Sequence, residues 1–63
     1  MIYYAQRTDF GGDAYGTSIG QTEEWRDMHA ARGPVVKIDV PQHVVDSGWE
    51  ATVHYCHEHL ANG

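Results

Sequence analysis

The fold is decided by residues 22–40, which read TEEWRDMHAARGPVVKIDV. The first part predicts a helix over 22–32, since Thr22 is a helix-capping residue type and the acidic side chains that follow it suit the start of a helix. A Gly-Pro pair then ends this helix. Residues 35–40 alternate between apolar and charged side chains, which predicts a strand. A helix followed closely by a strand indicates an α+β domain.

The segments on either side complete the predicted fold. Residues 2–8 are rich in aromatic and β-branched side chains and predict a strand. A glycine pair within residues 9–13 predicts a tight reversal, after which residues 14–19 form either a short second strand or a loop. Residues 41–47 are expected to connect the central strand to the last segment, with one helical turn as an alternative.

Residues 48–61 fit two secondary structures. As a strand, their side chains would alternate between two faces. As a helix, four apolar side chains share one stripe: Trp49, Val53, Cys56 and Leu60. Ser47 and Glu50 have the spacing of a capping box, and the length of the segment suits a helix better than a strand. We therefore expect a small sheet of two or three strands in the order β-(β)-α-β-α, with two helices packed on one face.

Composition limits the class of protein. The chain has 63 residues, a 41% apolar share and a net charge of −5, which fit one domain spanning residues 1–63. Because phosphates are bound chiefly by cationic side chains, this charge disfavours binding to nucleic acid or to an anionic membrane and favours a basic protein surface. The single cysteine, Cys56, and the lack of a signal-like or membrane-spanning stretch predict a cytoplasmic protein.

The histidines and the cysteine are the candidate sites of chemistry. On a helix, His54 and Glu58 share a face and are the candidate metal ligands, but no paired Cys or His motif accompanies them. Cys56 lies on the apolar stripe, where burial keeps a thiol protonated and unreactive. The glycine-rich stretch lacks the spacing of a phosphate-binding loop. The sequence therefore predicts no cofactor and no enzymatic activity.

Acidic side chains form the candidate partner-binding surface. Fixed carboxylates on one side of a small domain would imitate phosphates toward a groove lined with Arg and Lys. The candidates are Glu23, Glu24, Asp27, Asp9, Asp13, Asp46 and Glu50, joined by two tyrosines expected at the surface, Tyr15 and Tyr55. The expected function is inhibition of a basic, nucleic-acid-binding protein complex.

In size, acidity and its Glu- and Asp-bearing helix, the chain resembles small phage-encoded anti-defence proteins of the anti-CRISPR type. The resemblance lies in general character and in no aligned motif, so it assigns no residue a role. It implies an inhibitor that covers or mimics a nucleic-acid site in the host cytoplasm. Two alternatives stay open: a His/Glu metal-binding module, and a structural homodimer with an apolar interface through Trp25, Trp49 or Tyr55.

Overall fold

The computed structural model describes residues 1–8 and 16–62. These residues form three strands and three helices in the order β1–β2–α1–β3–α2–α3. The elements are β1 (Ile2–Arg7), β2 (Thr17–Gly20), α1 (Glu23–Ala30), β3 (Val36–Asp39), α2 (Gln42–Asp46) and α3 (Trp49–Asn62). The predicted α+β class is confirmed, and the last segment is a helix. The predicted reversal at residues 9–13 lies outside the described residues.

The sheet is antiparallel, with β1 in the centre and the strand order β2-β1-β3. Tyr4 lies opposite Gly20 of β2 and opposite Lys37 of β3. Because successive side chains of a strand point to opposite faces, Tyr3 and Ala5 share one face of β1 while Tyr4 and Gln6 share the other. All four of these β1 residues are buried. Both faces of the central strand are therefore covered.

The apolar core lies between α3 and the first of these faces. It consists of Tyr3, Ala5, Ile19, Ile38, Val40, Val53 and Cys56, with Val44, Val45, Tyr55 and Leu60 packed around it. Val53 and Cys56 of α3 are fully buried, as the helical stripe predicts. The short helix α2 packs beside α3 and closes one end of this layer.

Helix α1 lies on the other face of the sheet. The Arg26 guanidinium carbon is 5.5 Å from the centroid of the Tyr4 ring. The side chain of Gln6, on the same face, reaches the backbone at the end of α1. The indole of Trp25 occupies the space where any side chain at Gly20 would begin, so only glycine permits this close approach. The expectation that both helices pack on one face is wrong, because β1 offers buried side chains on both sides.

The start of α3 also differs from the prediction. Ser47 closes α2, and its hydroxyl donates to the His43 carbonyl oxygen at 2.8 Å. The first carbonyl of α3 is that of Gly48, which accepts from both the backbone nitrogen and the hydroxyl of Thr52. The predicted capping box at Ser47 is therefore wrong, because Ser47 ends α2 and Gly48 supplies the first carbonyl of α3.

Several large apolar side chains are exposed, among them Met28 at 67%, Trp49 at 55%, Ile2 at 39% and Val36 at 36%. Met28 points away from the sheet because Trp25 and Arg26 lie on the side of α1 that contacts the sheet. Trp49 is the first residue of α3, and the helix enters the core only from Thr52 onward. Within residues 1–8 and 16–62, no helix has the length and apolar character needed to cross a membrane.

Candidate functional site

The inner side of α1 is fixed to the sheet at several points. Thr22 caps the helix, since its hydroxyl accepts a hydrogen bond from the Trp25 backbone nitrogen at 3.1 Å, as predicted. The Trp25 and His29 rings stack with their centroids 3.9 Å apart and an interplanar angle of 16°. The Gln6 amide donates to the carbonyl oxygens of His29 at 2.7 Å and Gly33 at 3.1 Å. The cap and the ring stack lie within α1, whereas the two Gln6 hydrogen bonds tie its C-terminal end to β1.

The outer side of α1 carries the acidic ridge, which we define as Glu23, Glu24 and Asp27. All three side chains are exposed. Within the part of the chain that the structure describes, Glu23 and Glu24 form no hydrogen bond or ion pair. Asp27 pairs with Arg26, whose Nε and terminal guanidinium nitrogen both lie 3.0 Å from its Oδ1 atom. The ridge therefore presents two carboxylates without a hydrogen-bonded partner and one, Asp27, that is ion-paired with Arg26. Arg26 also attracts Glu23 electrostatically.

Arg26 and Gln6 are the residues that sequence analysis missed. Arg26 contacts Tyr4 on its inner side and Asp27 on its outer side, and the hydrogen bond to Asp27 is the main cause that raises its pKa. Gln6 is 6% exposed although it is polar and lies in a strand. The sequence signal for Arg26 is its position between the acidic residues of the helix. For Gln6 there is none, since alternation alone does not show what covers a strand.

The remaining predicted acids do not extend the ridge. Asp46 lies on α2, where its Oδ1 accepts from the Gln42 amide at 2.9 Å, and Glu50 lies in the first turn of α3. Both helices belong to the layer on the opposite face of the sheet from α1. Asp46 and Glu50 therefore lie in a different layer from Glu23 and Asp27. Asp9, Asp13 and Tyr15 lie outside the described residues.

Tyr55 was expected at the surface and is instead half-buried against the apolar core. The reason is the width of the buried stripe on α3. Thr52 is 1% exposed although it is polar, so the stripe extends to the flank on which Tyr55 lies. A binding role for Tyr55 is therefore limited to the part of its side chain that stays exposed.

The candidate metal ligands form a surface pair. His54 Nε2 lies 3.2 Å from Glu58 Oε1, and the two side chains are 53% and 58% exposed. His57 points to the sheet, where its Nδ1 is 3.2 Å from the Thr17 hydroxyl. Among the described residues, no group of three or more His, Cys, Asp and Glu side chains is placed to hold a metal ion. Protein zinc sites need three or four such ligands, so this pair does not make one.

Cys56 has the environment expected for a structural thiol. Its side chain is fully buried in the core, and burial raises the pKa of the thiol to about 11. A protonated thiol is a poor nucleophile and a poor metal ligand. The residue therefore acts as a small apolar side chain at the contact between α3 and the sheet.

The geometry shows a sheet with an acidic helix on one face and an apolar core on the other. No family model, no curated protein and no solved structure is significantly similar to this chain.

Proposed function

We propose that the chain is a non-enzymatic binding protein that inhibits a basic, nucleic-acid-binding protein by contacting it through the acidic ridge of α1. One observation carries the proposal: Glu23, Glu24 and Asp27 are exposed on a helix whose other side contacts the sheet through Gln6, Tyr4 and Gly20. Because the helix does not need to reorganise on binding, little ordering free energy opposes the contact.

The geometry of the ridge suits recognition by arginine. Glu23 and Asp27 are one helical turn apart, about 6 Å along the axis, so two cationic side chains of a partner can meet them at once. Carboxylates accept two parallel hydrogen bonds from a guanidinium group. The existing pair between Arg26 and Asp27 is exposed, and such pairs contribute at most about 1 kcal/mol. A partner arginine can therefore replace Arg26 at Asp27 at small cost.

The net charge supports the same class of partner. At −5 the chain repels phosphate backbones and attracts the surfaces that bind them. A small domain bound to such a surface covers it, so the nucleic acid cannot bind there. We place this interaction in the cytoplasm, where the unpaired thiol of Cys56 is stable in its reduced form.

The test compares two sets of neutralised carboxylates on immobilised protein. The ridge variant carries Glu23→Gln, Glu24→Gln and Asp27→Asn. The control carries Asp46→Asn and Glu50→Gln, which remove charge from the opposite layer. Proteins retained from a lysate are eluted with salt and, separately, with a competing DNA oligonucleotide. We expect the wild type and the control to retain nucleic-acid-binding proteins that DNA displaces, and the ridge variant to lose them.

Circular dichroism and chemical denaturation check that the ridge variant is folded, which we expect because its substitutions are exposed and isosteric. Retention that is equal for the ridge variant and the wild type would contradict the proposal. So would retained proteins that DNA does not displace, because the ridge would then not occupy a nucleic-acid site.

A further inference from the structure

The outer edge of β3 has backbone groups that point away from the sheet. Val40 uses both its N–H and its C=O toward Met1, the residue before β1, at 2.8 Å each. The register from Val40 through Val36 is continuous, and backbone groups alternate in direction along an antiparallel strand. The N–H and C=O groups of Lys37 and Asp39 therefore point to the outer edge, where no further strand pairs in the described part of the chain.

The side chains at this edge are complementary to a reversed copy of themselves. Lys37 and Asp39 are exposed and lie on the same face as Tyr4. If a second β3 pairs antiparallel with the first and the pairing is centred on Ile38, Lys37 of each copy lies opposite Asp39 of the other. These are also the residues whose backbone groups point outward, so the same register forms the hydrogen-bonded pairs of an antiparallel ladder.

The neighbouring registers are disfavoured by charge. A register that keeps these backbone hydrogen bonds differs from this one by two residues, because every second residue points its backbone groups outward. One shift places Lys37 opposite Lys37, and the other places Asp39 opposite Asp39. Like charges directly opposite each other destabilise a strand pair. A slip of one strand by a single residue would place Lys37 and Asp39 opposite residues whose backbone groups point to β1, so the hydrogen bonds could not form. The register centred on Ile38 therefore has no equal competitor.

We propose that β3 binds β3 of a second copy of this chain in this register, which joins the two sheets into one six-stranded antiparallel sheet. Asp39 also holds the N-terminal ammonium group through Oδ1 at 3.1 Å. Its other oxygen stays available to Lys37 of the partner copy, because a carboxylate accepts several hydrogen bonds.

The pairing is short, so the dimer is weak. Pro41 follows at the next outward position and has no N–H, which limits the ladder to Lys37 and Asp39 of each copy. A contact of this length lies below the roughly 1,000 Å² of buried surface typical of a stable specific interface. We therefore expect a monomer–dimer equilibrium that is visible only as the concentration approaches about 1 mM.

Charge reversal at the two positions tests the register. Lys37→Asp makes the edge wholly acidic and Asp39→Lys makes it wholly basic. Each variant alone replaces two attractive cross-strand pairs by two repulsive ones, so we expect its dimerisation to weaken about tenfold or more. An equimolar mixture of the two is expected to form a heterodimer. The double variant, with both reversals on one chain, is expected to dimerise like the wild type. Sedimentation equilibrium measures all four samples.

Amide hydrogen exchange locates the interface in the wild type. The N–H groups of Lys37 and Asp39 are expected to exchange more slowly at high concentration than at low concentration, while those of Val36 and Ile38 do not change. A wild type that stays monomeric up to about 1 mM overturns the proposal. Single reversals that dimerise like the wild type also overturn it. So does a dimer that Trp49→Ala abolishes, if amide exchange at Lys37 and Asp39 is the same at low and high concentration.

Discussion

At the scale of the residue, Arg26 links the two sides of α1. Its guanidinium group stacks near Tyr4 on the inner side and pairs with Asp27 on the outer side. Removing the Asp27 charge leaves the contact with Tyr4 in place, so the helix keeps its position. This is why the ridge can be neutralised for a binding experiment without detaching the helix that carries it.

The thiol of Cys56 gives a prediction at the same scale. With a pKa of about 11 and no exposed surface, the thiol is almost fully protonated at pH 8 and closed to reagents, so reaction with a thiol-specific dye is expected to be slow in the folded protein. In denaturant the thiol is exposed and its pKa returns to the ordinary value. The reaction is then expected to be complete by the time the sample has been mixed.

A matched control places the thiol at the surface. The variant Cys56→Ala with Ser47→Cys carries one cysteine at an exposed position and is expected to react at once in the folded state. Reaction of native Cys56 at the rate of this control would show that α3 does not pack on the sheet as described. The burial of Cys56 itself was predictable, because its spacing from Val53 and Leu60 follows the helical period.

At the scale of the element, α1 depends on the sheet for its stability. It has eight residues, whereas isolated helices shorter than about 12 residues are marginal in water. The bonds from Gln6 to the carbonyls of His29 and Gly33 hold its C-terminal end. Gln6 is therefore the strand residue on which the position of the acidic ridge depends.

Replacing Gln6 with methionine tests this dependence. The Gln6→Met variant keeps the length of the side chain and removes both donors, so the free energy of unfolding is expected to fall by about 1–3 kcal/mol. Amide exchange in α1 is expected to accelerate more than exchange in α3. The control is Ser18→Ala, which lies directly opposite Gln6 on the same face of the sheet. Equal behaviour of the two variants would show that Gln6 does not hold α1.

The elements themselves were largely predictable from sequence, and their arrangement was not. Thr22 identified the start of α1, and the length of the last segment identified α3 as a helix. The side on which α1 packs depends on Tyr4 and Gln6, and their residue types do not indicate a covering helix because one is amphipathic and the other is polar. Sequence alternation shows that a strand has two faces without showing which of them a helix will cover.

At the scale of the whole molecule, the chain has three layers: α1, the sheet, and α2 with α3. The apolar core lies on the α3 side, while α1 is held by the Gln6 hydrogen bonds and by the contacts of Arg26 with Tyr4 and of Trp25 with Gly20. A domain of 63 residues is near the lower limit for a core without disulfides or metal. The layered arrangement leaves the outer side of α1 free of any role in the core.

The two proposed surfaces are compatible with each other. Lys37 and Asp39 lie on the same face of the sheet as Tyr4, which is also the face that α1 covers. Antiparallel pairing of two β3 strands would therefore place both copies of α1 on one face of the six-stranded sheet. Two acidic ridges on one face would bind an extended basic surface bivalently, which raises the overall affinity if the partner spans both.

The account depends most on the position of α1 on the sheet face opposite α3. Nuclear Overhauser effects in solution measure this position directly. We predict contacts from Trp25 and Arg26 to Gly20 and Tyr4, together with contacts from Val53 to Ala5. Contacts from Trp25 to Ala5, with none to Gly20, would place both helices on one face and contradict the account.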